Sequence, residues 1–185
     1  MIITDFLERN AREFPNDIAL VEINPEIKED RRVTWKEFEL IEPSPKTSYR
    51  REITWGVFNE KANRFANLLL QRGVKKGDKV AILMMNGLEW LPIYFGILKT
   101  GALAVPLNFR YSSDEIEYCV NLAEVDILVF SNAFIGRVEE IADRISKGRL
   151  LIYVGEGCPG FADDYNSLSA NCSSQSPMVA LTDED

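Results

Sequence analysis

The chain has 185 residues, 46% of them hydrophobic and 27% charged, with a formal net charge of −8; a chain of this length buries roughly 70% of its unfolded surface, enough for one sizeable core. The acidic balance excludes nucleic acid as a partner, because affinity for phosphate backbones comes from clustered Lys and Arg that displace counterions, and Lys75-Lys76 and Arg50-Arg51 are too short to reverse it. The absence of histidine excludes a Ser-His or Cys-His catalytic pair within the chain, and Cys119, Cys158 and Cys172, widely spaced with no CxxC, form neither a disulfide framework nor a zinc site.

Met1-Ile-Ile-Thr-Asp-Phe6 carries no basic leader and no cleavage site, so the cytoplasm is the expected compartment. Thr4 is placed to cap a first helix with Leu7, Ala11 and Phe14 on one face and Pro15 at its end. Ile18–Ile23 is expected to be a strand. Arg31-Arg32-Val-Thr34-Trp35 is then echoed by Arg50-Arg51-Glu-Ile-Thr54-Trp55, and only the second copy leads into a long helix, marked by Phe58, Ala62, Phe65 and Leu69 and closed by Gly73. The first copy holds a capping box, Thr34-x-x-Glu37, but Pro43 and Pro45 stop it within two turns. Residues 31–50 are therefore expected to be an inserted hairpin or loop.

From Val80 the pattern is regular. Apolar runs at Val80–Met84, Leu103–Leu107, Ile127–Phe130 and Leu150–Val154 alternate with helical segments, which predicts an α/β fold: a doubly wound, mostly parallel sheet with helices on both faces, preceded by the amino-terminal hairpin and insertion. The apolar stretch Trp90–Leu107 is broken by Pro92, Gly96, Lys99, Gly101 and Pro106, so it is expected to be a core helix and strand and not a transmembrane segment. Ser112-x-x-Glu115 is a capping box, and Phe134, Val138, Ile141 and Ile145 form one helical stripe. After Gly155 the pattern weakens to a short helix near Asp164–Ser169 and a linker-like tail, 170–185. The whole chain, 1–185, is expected to be one lobe.

Gly155-Glu-Gly157-Cys-Pro-Gly160 matches GxGxxG after a strand, but a dinucleotide fingerprint must open a helix. Pro159 and Phe161-Ala-Asp-Asp164 delay any helix, and no strand with a ribose-binding acid is expected to follow. The carboxyl ends of the strands matter more, since ligands of open α/β sheets bind there. Asn86 in Met85-Asn86-Gly87, and Asn108 and Arg110 in Asn108-Phe109-Arg110, occupy those ends. The competing readings are that Asn86 caps the Glu89–Lys99 helix and that Arg110 is a solvated surface charge; Trp90 is expected in the core. Cys119 falls on an apolar helical stripe, and Cys158 and Cys172 lie in loops without a cationic cluster to activate a thiol.

Three segments carry a resemblance: Ile53-Thr54-Trp55 with its Phe- and Leu-rich helix, Gly73-Val-Lys-Lys-Gly77-Asp78-Lys79-Val-Ala-Ile82, and Leu98-Lys-Thr-Gly101-Ala-Leu-Ala-Val-Pro106-Leu-Asn108. In this order and spacing they resemble the opening motifs of the AMP-forming acyl-CoA synthetases, within the adenylate-forming superfamily, and the resemblance runs from about Thr4 to the last residue. It implies the amino-terminal lobe of an AMP-binding domain, from a ligase that uses ATP and Mg2+ to turn a carboxylic acid, a fatty acid in particular, into an acyl-adenylate and passes the acyl group to CoA. The superfamily's Ser/Thr/Gly loop with its lysine is expected just after an acidic stretch such as Leu181–Asp185. Asn171–Ser176 offers hydroxyls without glycine or lysine. The resemblance thus assigns no catalytic, metal or secure cofactor residue to this chain, makes Asn86, Asn108 and Arg110 the substrate- or CoA-proximal candidates, and implies an inactive piece whose partners are the remaining lobes of the same polypeptide. An exposed apolar patch and self-association follow from that expectation. The 31–50 insertion departs from the family's compact hairpin, leaving acyl specificity open, as is the choice between CoA and a carrier protein as acceptor. The rival readings are a stand-alone α/β binding or scaffolding module and a nucleotide-dependent oxidoreductase built on Gly155–Gly160.

Overall fold

Helix α1 (Ile3–Glu13) leads into an antiparallel pair, β1 (Ile18–Ile23) and β2 (Arg50–Thr54), which is followed by the long helix α2 (Trp55–Gln71). The computed structural model describes residues 2–24, 49–145 and 148–182. A βα alternation completes the chain: β3 (Lys79–Leu83), α3 (Trp90–Leu98), β4 (Leu103–Pro106), α4 (Ser113–Leu122), β5 (Ile127–Ser131), α5 (Ile135–Ile145), β6 (Leu150–Val154), the two-residue β7 (Asp163–Asp164) and α6 (Tyr165–Ala170). β3 to β7 form one wholly parallel sheet in the order β4-β3-β5-β6-β7.

The central strands carry apolar residues on both faces, at Val80–Leu83, Ile127–Phe130 and Leu150–Val154, because both faces are covered. Val80, Ile82, Val129 and Ile152 pack under Phe65 and Leu69 of α2 and Ile93 and Ile97 of α3. Their neighbours Ala81, Leu83, Leu128, Phe130 and Tyr153 meet Ile116 and Val120 of α4 and Val138, Ile141 and Ile145 of α5 on the other face. A third cluster, Leu7, Phe58 and Ala62, joins α1 and the β1–β2 pair to α2. Helices α2 and α3 approach closely at Gly96, where a methyl group would lie 2.9 Å from the Ala62 carbonyl oxygen and 2.9 Å from the Phe65 ring.

Caps define most boundaries. Thr54 accepts the Val57 N–H at 3.3 Å to start α2. The Ser112–Glu115 box closes as expected, with Glu115 Oε2 accepting the Ser112 N–H at 2.8 Å. Thr4 is not a cap: α1 starts one residue earlier, Thr4 is buried inside it, and the Asp5 carboxylate accepts the Ile2 N–H at 3.2 Å. The stripe assigned to α1 is also narrower than its spacing implied. Only Leu7 is buried, whereas Phe14 is 50% exposed.

Most of the 31–50 insertion, including Arg31 and Arg32, lies outside the described residues. Its flanks meet: the Asn24 N–H donates to the Tyr49 carbonyl at 2.9 Å, and Ile23 pairs with Arg50, which belongs to β2. The glycine-rich segment opens no helix. Instead Tyr153 Oη folds over Gly155, at φ +152°, to donate to the Glu156 carbonyl at 2.9 Å, and a Cβ on Gly155 would fall 2.7 Å from that oxygen. Among the described residues only a two-residue strand follows it: Asp163 and Asp164 pair in parallel with Ile152 and Tyr153. Asp164 then caps α6, accepting from Ser167 N–H at 2.8 Å and Ser167 Oγ at 2.6 Å.

One charged pair is built into this scaffold. Lys99, at the end of α3, is 3% exposed, and its Nζ donates to Glu8 Oε1 of α1 at 2.6 Å. Burial drives the lysine's pKa down and the bond to Glu8 only partly restores it. Burial also raises Glu8, but the hydrogen bonds from Lys99 and Ser176 and the lysine's charge outweigh that and leave the carboxyl below its ordinary value. Removing one partner strands the other, and only Glu8, whose side chain is 40% exposed, can turn to water. Glu8→Ala is therefore expected to cost about 2 kcal/mol, a value discounted for that exposure, and Lys99→Met less than about 1 kcal/mol, by urea denaturation at pH 7. With its folded pKa lowered, Glu8 contributes above its unfolded pKa and loses that contribution as pH falls through the folded value. The stability gap between wild type and Glu8→Gln should thus close as pH drops below about 4. Gly96→Ala should cost about 1–3 kcal/mol by pushing α3 off α2, read as a lowered thermal midpoint with an unchanged far-ultraviolet spectrum.

Candidate functional site at the carboxyl ends of the strands

After β3 the chain leaves to α3, on the α2 face of the sheet; after its neighbours β4 and β5 it leaves to α4 and α5, on the other face. Departure to opposite faces from adjacent strands opens a crevice at their carboxyl ends, the position where open α/β sheets bind ligands. The rim is made by Met85, Asn86, Asn108, Phe109, Arg110 and Asn132, all exposed. Two of them are large apolar groups offered to solvent, Met85 at 49% and Phe109 at 47%.

All three candidates from the sequence lie at this end of the sheet, with unequal freedom. Asn86 is exposed beyond β3 and does not cap the next helix, which starts at Trp90 after Glu89 with no side-chain cap. Asn108 is engaged locally: its Oδ1 accepts the Arg110 N–H at 2.9 Å, and its carbonyl accepts the Tyr111 N–H at 3.1 Å. Arg110 lies over the Phe109 ring, 5.4 Å from the centroid. Trp90 is half-buried and packs against the core.

Three supporting groups come from elsewhere in the chain and had no signal in local spacing. Arg137 of α5 donates to the carbonyls of Phe109 at 2.8 Å and Tyr111 at 3.0 Å and so pins the loop after β4. Glu22 of β1 accepts the Leu88 N–H at 2.9 Å while both of its oxygens accept from Arg51 at 2.8 Å, fixing the loop after β3. Lys61 of α2 donates to Glu89 Oε1 at 3.2 Å, and Glu89 Oε2 is buried without a partner. Burial, with the Glu89 charge added, pushes the Tyr165 phenol well up.

The rim residues offer one cation and three amides. They do not fit a nucleoside triphosphate with its metal, which calls for clustered N–H and ammonium donors, and among the described residues no three His, Cys, Asp or Glu side chains are grouped to hold a metal ion. A groove of about 430 Å³ lies at the opposite, amino end of β3, β5 and β6. Three of its charges serve the fold: Asp126 accepts the Lys79 N–H at 2.9 Å, Asp78 accepts the Lys75 N–H at 2.7 Å, and Arg149 caps the carbonyls of Val120, Val125 and Ile145. Burial raises the Cys158 and Cys172 thiols above the ordinary thiol range, which disfavours the reactive thiolate at both. No helix among the described residues is long and apolar enough to cross a membrane.

The sequence pattern of a family described as "AMP-binding enzyme" matches residues 43–183, most of the chain. The chain belongs to this family. Among AMP-binding enzyme relatives, a medium/long-chain-fatty-acid–CoA/3-oxocholest-4-en-26-oate–CoA ligase from Mycolicibacterium smegmatis is 36% identical over 110 residues, 60% of this chain and 19% of that protein. A crotonobetaine/carnitine–CoA ligase from Salmonella paratyphi B is 36% identical over 107 residues, 57% of this chain and 20% of that protein. An anthranilate CoA ligase solved with anthranoyl-AMP superposes with a TM-score of 0.74 at 25% identity, over 93% of this chain and 28% of that one. A long-chain-fatty-acid–CoA ligase from Archaeoglobus fulgidus shares the fold, with a TM-score of 0.73 at 18% identity over 98% of this chain and 32% of that one. The chain therefore spans about a fifth of the length of the curated relatives it matches.

The Arg137 anchor gives a direct check on the rim. Arg137→Ala should cost about 1–2 kcal/mol and speed amide exchange at Arg110 and Tyr111, while β5 amides keep their protection.

Proposed function

We propose that this chain is the amino-terminal lobe of an AMP-forming ligase that joins a carboxylic acid to CoA. The carrying observation is the family match across 43–183, and the relatives so named, CoA ligases for fatty acids and 3-oxocholest-4-en-26-oate in one case and for crotonobetaine and carnitine in the other, support the reaction class. In that reaction the carboxylate displaces pyrophosphate from ATP, as its Mg2+ complex, to give an acyl-adenylate, and the CoA thiol then displaces AMP. The fatty-acid reading takes further support from Met85 and Phe109, two exposed apolar groups at the strand ends suited to an alkyl chain. Asn86 and Arg110 are the ligand-facing candidates, Arg110 as the rim cation for a CoA phosphate. Asn108 shapes the turn that presents Arg110.

The groups that hold the triphosphate and stabilise its charge belong, in this reading, to other lobes of the same polypeptide, and the lobe alone does not adenylate. The cytoplasm is the proposed site of action. The oxidoreductase alternative loses support from Gly155, which is occupied by the Tyr153 hydroxyl, and from a first downstream helix that begins only at Tyr165.

Acid-dependent pyrophosphate exchange, run on the protein from the complete gene and on residues 1–185 alone, tests the proposal. Exchange with fatty acids by the former and none by the latter is expected; exchange by residues 1–185 alone would overturn the lobe assignment. In the complete enzyme, Arg110→Ala should raise the KM for CoA about tenfold with little change in exchange rate, the loss expected for one charge-assisted contact.

A further inference from the structure

Asn171–Ser176, linker-like in composition, lies along α2 and is held there by its backbone. Arg64 Nη1 donates to the carbonyls of Ala170 at 3.0 Å and Cys172 at 2.7 Å. Asn67 Nδ2 donates to Ser173 at 2.8 Å and Gln175 at 2.9 Å, and Asn63 Nδ2 to Ser174 at 2.8 Å. Five carbonyls within six residues are thus engaged by three side chains spaced along one polar stripe of α2. Glu60 Oε1 accepts from both Nε and Nη2 of Arg64, at 3.0 and 2.9 Å, and sets the guanidinium plane. Beyond the stripe, Ser176 Oγ donates to Glu8, the partner of Lys99. Leu181 then rests on Gly101, where a methyl group would come within 3.0 Å of Leu181 Cδ2.

We propose that Asn63, Arg64 and Asn67 form a backbone-reading clamp, with the Glu8–Lys99 pair as its latch, that fixes the register of residues 170–176 and so seats Leu181 beside the start of β4. Side-chain amides and a guanidinium addressed to main-chain oxygens hold position without specifying which side chains the strap carries. The register is set by α2, and within the clamped stretch the Ser174 and Gln175 side chains are free to vary. Asn63 fits this role in particular: it is 3% exposed, and its Oδ1 has no partner, so a polar side chain is kept in a buried site for the one bond its Nδ2 makes.

The test uses the 185-residue chain and two readouts: alkylation of Cys172, a strap residue only 4% exposed, located by mass spectrometry, and cleavage between 172 and 176 by a broad-specificity protease. Asn63→Ala with Asn67→Ala should speed both about tenfold while cleavage within residues 79–154 stays unchanged. Ser174→Ala with Gln175→Ala should change neither. Asn67→Ala alone, at a half-buried site, should give a smaller increase and covers the case in which the buried Asn63 substitution unfolds the chain. Release by the strap substitutions, or unchanged rates in Asn67→Ala, would overturn the proposal. Neither readout depends on ligase activity.

Discussion

The close approach of α2 to α3 at Gly96 is the constraint on which one face of the molecule depends. With no side chain on α3 at that point, the helix backbones settle together over Phe65 and Ala62, and the two helices cover the same sheet face as a single layer. Every other element on that side takes its position from α2. The β1–β2 pair and α1 pack on it through Leu7 and Phe58, α6 meets it through Tyr165 beside Phe65, and the strap after α6 lies on its polar stripe. One helix is buried by apolar contact on one side and by main-chain hydrogen bonds on another.

Much of this order was legible in the sequence because its cause is local. Continuous apolar runs of strand length separated by helical stripes carry the parallel sheet, and the capping signals at Thr54 and Ser112 locate two helix starts. The errors are also local in origin. Thr4 and Asp5 compete to close the first turn of α1, and the acid does it. Asp163-Asp164 lacks the apolar signature of a buried strand, yet it pairs at the sheet edge because the chain must cross from β6 to α6 there. The crevice follows from strand order, which periodicity does not encode: it needs the knowledge that β3 lies between β4 and β5. Asn86, Asn108 and Arg110 could be nominated from strand ends alone, but Arg137, Glu22 and Lys61 support those loops from 26 to 66 residues away in sequence, where no spacing rule reaches.

Composition says little about the tail. The run Asn171-Cys-Ser-Ser-Gln-Ser176 reads as a linker, and linker composition does not say where such a segment lies. Here the groups that hold residues 170–175 sit largely on another element, and what those residues supply to it is the carbonyl that every residue has.

The same distinction explains why the crevice stays chemically sparse while the scaffold around it is rich in charged contacts. Lys99, Arg149, Arg137 and Arg64 spend donors on carbonyls or on a single carboxylate within the lobe; groups so committed to the scaffold are poor recruits for a polyanion. Arg110 differs, since its side chain leans on an exposed ring at the mouth of the crevice. A lobe built this way can hold an apolar wall and one steering charge rigidly in place. Under the proposed function, the several converging donors that transfer chemistry on phosphorus needs are brought to the crevice by elements that face it from outside the sheet.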